Sequence, residues 1–313
     1  MTIGIVVLLG MSVMYSRNSS NFAEIEKTGD MLENARFALD VMKEDVEHAG
    51  FYAEIDPSAM SATWSAASPC VTDPTALGWN TGGASITMPP PVQGSPAADT
   101  TTPCLGNRQA DLPALTVRHA MVDATASTTT MSAGNLYLQV SRCASDTRQV
   151  VASTLASDFT LQNIACSGII DELRRFEVRT YFVSSCSVCS PASDQLPTLQ
   201  RAELIDGTIR FTPIAEGIEK MALEYGIDSN GDGRPDEYID ASLVNGTPVS
   251  RAWQNVVSVR ITLLARARTA TAGYVDPRTY TLAGTTYTPA DGYKRALLTS
   301  TVRMTNVGGR LEQ

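Results

Sequence analysis

The chain has 313 residues, 43% of them hydrophobic and 18% charged, which is ordinary for a globular protein and enough to bury a sizeable core. Its net charge of −9 and sequence pI near 4.8, with no basic run anywhere, exclude a nucleic-acid-binding surface, which needs clustered Lys and Arg. No HExxH, GxSxG or GxxxxGK[ST] pattern occurs, so nothing signals an enzyme.

The first fifty residues organise the rest. An apolar run, MTIGIVVLLGMSVMY, passes without a proline into NFAEIEKTGDMLENARFALDVMKEDVEHAG. In that second part Phe22, Ile25, Leu32, Ala35, Leu39, Met42, Val46 and Ala49 recur at helical spacing and form one apolar face. Glu24, Glu26, Lys27, Glu33, Arg36, Lys43, Glu44 and Glu47 take the other face. Gly50 stands where a helix stop belongs. The pattern predicts one helix in two solvents, a membrane or fibre spine over 1–50, followed by a head over 51–313. The apolar part spans ~23 Å against the ~30 Å of a bilayer core. A signal peptide would need a basic region ahead and a small-residue cleavage site behind, and neither is present. The expectation is that Met1 lies inside a longer helix.

Residues 55–113 are rich in Pro, Ser, Thr, Ala and Gly with little periodicity, which predicts a long loop insertion. A period of two then sets in. ALTVRHAMV, NLYLQVSR and RFEVRTYFV read as strands, with Leu136, Leu138 and Val140 alternating with Tyr137, Gln139 and Ser141. LQRAELI, GTIRFTP, KMALEYGI, NVVSVRITLLAR and ALLTSTVRM follow between turn residues. The predicted architecture is α+β, a long N-terminal helix packed on a mostly antiparallel β head with disulfide-stapled loops.

Six cysteines behind a membrane-type N-terminus favour disulfides in the periplasm or outside the cell. Nearest-neighbour pairing gives Cys70 with Cys104, Cys143 with Cys166 and Cys186 with Cys189, one choice among fifteen. Cys186-Ser-Val-Cys189 follows a strand instead of opening a helix, and no second ligand pair completes a zinc site, so a structural disulfide is expected there too. Of the two histidines, His48 suits the end of the helix dipole, and His119 shares a strand face with Leu115, Val117 and Met121 as a partly buried, hydrogen-bonded residue.

The sharpest local pattern is DSNGDGRPDEYID. With Asp228 at position 1, oxygen side chains fall at 3, 5 and 9 (Asn230, Asp232, Asp236), with Gly233 at 6 and the Arg234 carbonyl at 7. That spacing suits calcium (Ca2+). Ile239 takes the place of the closing bidentate Glu, which leaves Glu237 or Asp240 to complete the shell, and the expected affinity falls to roughly 10⁻⁵ to 10⁻³ M. The same residues also favour a plain turn after the strand 221–227.

ENARFALDVMKEDVEHAGFY after an apolar run resembles the N-terminal spine of type IV prepilins, in particular the PilW-type minor pilins. EGIEKMALEYGIDSNGDGRPDEY, WQNVVSVRITLLAR and DGYKRALLTSTVRMTN resemble the same family in the same order. The resemblance is close at both ends and slight over about 55–198. The family's cleavage glycine, N-methylated phenylalanine and early glutamate are absent from this sequence, so processing roles fall on no residue here.

The resemblance implies a type IV pilin-like fold and a structural, non-enzymatic subunit of the type IV pilus. It implies other minor pilins, the major pilin, an inner-membrane assembly platform, a prepilin peptidase and a tip adhesin as partners. The expected location is the inner membrane with the head in the periplasm, then the cell-surface pilus. A type II secretion pseudopilin is a close variant, and a membrane-anchored calcium-dependent adhesin that uses the 55–113 loop is the alternative from another class. The expected reading frame continues upstream of Met1 into a basic leader and a Gly-Phe-type junction. Sequencing the upstream DNA checks this, and an in-frame stop directly before Met1 would overturn it.

Overall fold

Helix α1 runs from Thr2 to His48, 47 residues and ~70 Å at the usual rise. The computed structural model describes residues 2–55, 62–83, 85–123 and 128–311. Met1, where the expected spine begins, lies outside them, as do the side chains of 1–10. Among the described residues, no helix is long and apolar enough to cross a membrane.

Three short strands follow, β1 (Ala62–Trp64), β2 (Ile86–Met88) and β3 (Val92–Ser95). The chain then makes β4 (Ala114–Ala120), β5 (Tyr137–Val140), β6 (Val150–Ser153) and β7 (Arg174–Ser184). The hairpin β8 (Thr198–Ile205) and β9 (Thr208–Glu216) comes next, then β10 (Ile218–Ile227), β11 (Glu237–Ile239) and β12 (Val256–Arg266). A small hairpin, β13 (Tyr280–Leu282) and β14 (Thr285–Tyr287), precedes β15 (Arg295–Arg303) and helix α2 (Thr305–Leu311).

Besides the two-stranded parallel pair β1-β2 and the β13-β14 hairpin, two larger antiparallel sheets form among the described residues. The first has seven strands around β7, which pairs with β4, β5 and β8, while β3, β6 and β9 extend it. The second has the order β11-β10-β12-β15. The second half of α1 is their common core. Met31, Ala35, Ala38, Leu39, Met42, Val46 and Ala49 are buried against Leu115, Val117, Tyr181 and Leu199 of the first sheet and Met221, Leu223, Val259 and Ile261 of the second. A large apolar side chain buried this way contributes about 1.5–3 kcal/mol. The part of the helix that the head supports is thus the stretch after about Met31.

Gly50 ends α1 at φ +75°, and an added Cβ would stand 2.9 Å from Val307 Cγ2 and 3.0 Å from Pro91 Cγ. Glycine is required on both counts. The last-turn carbonyls find side-chain donors: Thr305 Oγ1 and Asn306 Nδ2 both donate to the Glu47 carbonyl at 3.3 Å.

The segment 55–113 differs from the expected loop. It contains β1, β2 and β3 and folds as a cover with its own core, in which Trp79 meets Tyr52 and Phe176 edge-on with ring centroids 5.1 and 5.5 Å apart. Aromatic residues spaced too widely to show a period supply that core. The cover buries the outer face of β4, so all seven β4 residues are buried. Arg118, 1% exposed, sits under it and donates to the Ala67 carbonyl at 2.7 Å, the Pro90 carbonyl at 3.2 Å and Gln93 Oε1 at 2.8 Å. Burial pulls its pKa down to about 10.

The alternation expected in β5 is likewise overturned, because Tyr137 and Gln139 are buried along with Leu136 and Leu138. A small cluster of Phe159, Leu161 and Leu173 covers Tyr137, and Gln139 Nε2 donates to the Leu161 and Asp171 carbonyls at 3.2 and 3.0 Å. The disulfides are Cys70–Cys104, Cys143–Cys166 and Cys186–Cys189.

Candidate assembly surface on the N-terminal helix

Helix α1 changes surroundings along its length. Met11, Met14, Tyr15, Phe22 and Ile25 are 64–79% exposed, although helical spacing puts Phe22 and Ile25 in line with the buried stripe farther on. The head first grips the helix at Glu24, whose Oε2 accepts from Thr271 Oγ1 at 2.7 Å and faces Lys294 Nζ at 2.8 Å. Lys27, Lys294 and Thr271 hold this carboxyl down at about 2. Farther along, Asn34 Nδ2 donates to the Glu216 carbonyl at 3.3 Å.

The strongest grip comes at Asp45, 4% exposed and placed within the apolar stripe. Arg179 Nη1 donates to its Oδ1 at 2.5 Å, and the Tyr181 hydroxyl donates to Oδ2. Arg179 also meets Glu177 at 2.7 Å and Glu203 at 3.3 Å, while Arg175 and Arg201 flank those two carboxylates. His119 completes the cluster. Its Nδ1 lies 3.0 Å from the Ala120 carbonyl, which can only accept, so Nδ1 carries a proton. Its Nε2 stands 3.8 Å from Asp45 Oδ1 and 3.9 Å from Glu177 Oε2. The His48 and His119 rings are 6.1 Å apart at the helix end. Burial alone would raise the Asp45 pKa, but His119, Arg179 and Tyr181 together hold it at about 2, below its ordinary 3.8. The signal in the sequence was a carboxylate inside an apolar helical stripe.

The loop after β10 is held by its own backbone. Asp228, 4% exposed, accepts from the N–H of Asn230 at 3.2 Å and Gly231 at 2.6 Å with one oxygen, and from Gly233 at 2.7 Å with the other. Asp232 accepts from the Arg234 N–H at 2.9 Å, and Asp236 from the Ser229 N–H at 2.8 Å. The two residues expected to close a calcium shell are turned elsewhere. Arg251 grips Glu237 with two bonds of 2.7 Å, and Asp240 accepts from the Ser242 N–H at 2.7 Å. Among the described residues, no group of three or more His, Cys, Asp or Glu side chains stands ready to hold a metal ion. Of the expected set of Asp228, Asn230, Asp232, Arg234, Asp236, Glu237 and Asp240, Asn230 stands beside two members, its Nδ2 donating to Asp232 Oδ2 at 3.4 Å and to Asp236 Oδ1 at 3.3 Å.

The family model described as Type IV Pilus-assembly protein W matches residues 180–306. That segment, less than half of the chain, is similar to the PilW family. It runs from within β7 to the first residues of α2 and contains the whole second sheet. No curated protein gives a significant match. Among solved structures, a type IV-like pilin from Thermus thermophilus is similar over 70% of this chain and 84% of that chain, at 13% identity and a TM-score of 0.32. Within the PilW-type segment lie Tyr181, Arg201 and Glu203 of the Asp45 cluster, as well as the β12 and β15 surface on which α1 rests.

Two outcomes test this geometry. A carboxyl depressed in the folded state contributes stability that is present above its unfolded pKa and lost as pH falls through the folded one, here between about 4 and 2. Asp45→Asn is expected to cost about 2 kcal/mol at pH 7 and almost nothing near pH 2, as read by denaturant unfolding. The Asp228 loop, if it binds calcium in the folded state only, is expected to give a higher melting temperature in millimolar calcium than in chelator, and an unchanged one would leave it a plain turn. A rise in calcium would mean that its carboxylates regroup around the ion.

Proposed function

We propose that this chain is a structural subunit of the type IV pilus, a minor pilin with a type IV pilin-like fold whose spine helix packs among neighbouring subunits and whose head stands at the fibre surface. The observation that carries the reading is the uncovered apolar side of α1 from Met11 to Ile25, on a helix whose other half is clamped in the head. Each such side chain gains about 1.5–3 kcal/mol on burial, so the helix is stable in company and costly alone in water. The PilW-type match over 180–306 supports the same assignment.

Under this reading the partners are other minor pilins, the major pilin and the inner-membrane assembly platform, with a prepilin peptidase acting on the precursor. The subunit waits in the inner membrane with its head in the periplasm and then moves into the pilus. Its work is packing, not catalysis. A type II secretion pseudopilin would use the same helix, and the filament type separates the two. A calcium-dependent adhesin, the reading from another class, would use the Asp228 loop, in which Asn230 stands beside Asp232 and Asp236 while Glu237 and Asp240 hold other partners.

The test is incorporation. Tyr15→Asp with Ile25→Asp is expected to leave the head's melting temperature unchanged and to remove the subunit from sheared pili, as read by immunoblot. Normal incorporation of that double variant would overturn the reading.

A further inference from the structure

The second sheet leaves one of its edges partly open. β12 pairs with β10 from Ile218 to Ile227, whereas β11 covers only Tyr225, Gly226 and Ile227 on the opposite edge. The direction of the uncovered groups follows from alternation. The Ile227 carbonyl accepts from the Asp236 N–H at 2.8 Å on the β11 side, and the Asp228 N–H donates to the Asn255 carbonyl at 2.9 Å on the β12 side. In an antiparallel ladder every second residue points the same way, so Tyr225, Leu223 and Met221 direct their N–H and C=O groups away from β12. Tyr225 meets β11, and among the described residues no strand stands opposite Leu223 or Met221.

A cleft of about 490 Å³ lies along this edge. Leu112 and Pro113 form one wall, Leu282 and Tyr287 the other. The line of β11 itself points into the cleft, but the chain turns off at Asp240, whose carboxylate caps the Ser242 N–H at 2.7 Å. The rim carries Asp111 and Asp240 against a single cation, Lys220, which pairs with Asp111 at 2.5 Å. That exposed pair is worth at most about 1 kcal/mol and yields readily to another cation.

We propose that the open edge of β10 from Lys220 to Leu223 is a strand-addition site for an extended segment of a partner protein. The segment carries apolar side chains at alternate positions and a Lys or Arg that reaches Asp111 or Asp240. Main-chain pairing to Met221 and Leu223 supplies affinity, and the two apolar walls take alternate side chains and supply selectivity. A peptide backbone is the chemistry that satisfies an N–H and C=O pair repeating every second residue, and the acidic rim favours a basic flank. The site uses no residue of α1, so it stands or falls separately from the assembly reading.

The experiment selects twelve-residue peptides from a random display library on the purified full chain and resynthesises the winners. Expected are peptides with alternating apolar residues and a Lys or Arg. N-methylation at the residues that face β10 weakens them at least tenfold, and methylation at the intervening residues has little effect. Thr286→Trp and Ala97→Trp, exposed positions lining the cleft, are each expected to weaken binding at least tenfold with an unchanged melting temperature, and bound peptide is expected to slow amide exchange at Met221 and Leu223. No enriched peptide, or peptides indifferent to N-methylation and to both tryptophan variants, would overturn the proposal. A concentration-dependent dimer of this chain that Thr286→Trp abolishes would overturn the assignment to a different protein.

Discussion

A buried carboxylate on one helix meets a half-buried guanidinium on one strand, and the meeting of the two sheets depends on that pair. Apolar packing alone leaves a helix free to slide or rotate by a fraction of a turn against a sheet, because Leu, Met and Val contacts are not directional. Asp45 removes that freedom. Its two oxygens are taken by Arg179 and Tyr181, both on β7, and any rotation of α1 would strand a charge in a buried site. Since β7 is the central strand of the first sheet and the same helix stripe lies on β12 and β15, fixing α1 on β7 also fixes the second sheet relative to the first. The extra stability is modest, and orientation is what the pair contributes.

Legibility in the sequence followed the number of neighbours each residue has. The helix and its Gly50 stop could be read because one face of α1 meets core and the other meets water, which writes a 3.6-residue period into the chain. β10 and β15 could be read for the same reason with a period of two, whereas β12, buried along nearly its whole length, showed as an apolar run. β4 and β5 misled, because a second layer covers the face that alternation assigns to solvent. Arg118 and Gln139 look like outward residues and instead donate to carbonyls underneath that layer. The layer over Arg118 was itself illegible, since Trp79, Met88 and Ile55 come together from distant points on a Pro-rich segment without any local period. Asp228 to Asp240 is ambiguous in a different way. Asp, Asn and Gly at that spacing serve either a cation or the N–H groups of a tight turn, and the backbone donors took the oxygens.

Buried arginines show how the head is partitioned. Arg295 is fully buried between Glu219, Asp291 and Asp276, so the charge at the β15 end is balanced within a few ångströms. Arg118 has only amide and carbonyl acceptors. An arginine without a carboxylate ties down whatever carbonyls reach it, and here those belong to Ala67 and Pro90 of the cover. The cover is therefore anchored to β4 from inside, by Arg118, and closed outside by the Cys70–Cys104 bond. Two independent ties thus hold an irregular segment to the sheet beneath it.

Glu24 marks where the helix passes from exposed to supported. Among the described side chains it is the first on the helix that the head binds, through Lys294 and Thr271, and both of those partners lie in the loops that flank β13 and β14. Before it the helix presents Met11, Met14 and Tyr15 with no part of the head near enough to cover them. After it the same face enters the core. A charged seam at the boundary keeps the two regimes apart, because a burial that advanced past Glu24 would have to strip water from three polar groups at once. The seam thus opposes folding of the head back over the apolar half of its own helix, where Met11, Met14 and Tyr15 stay exposed.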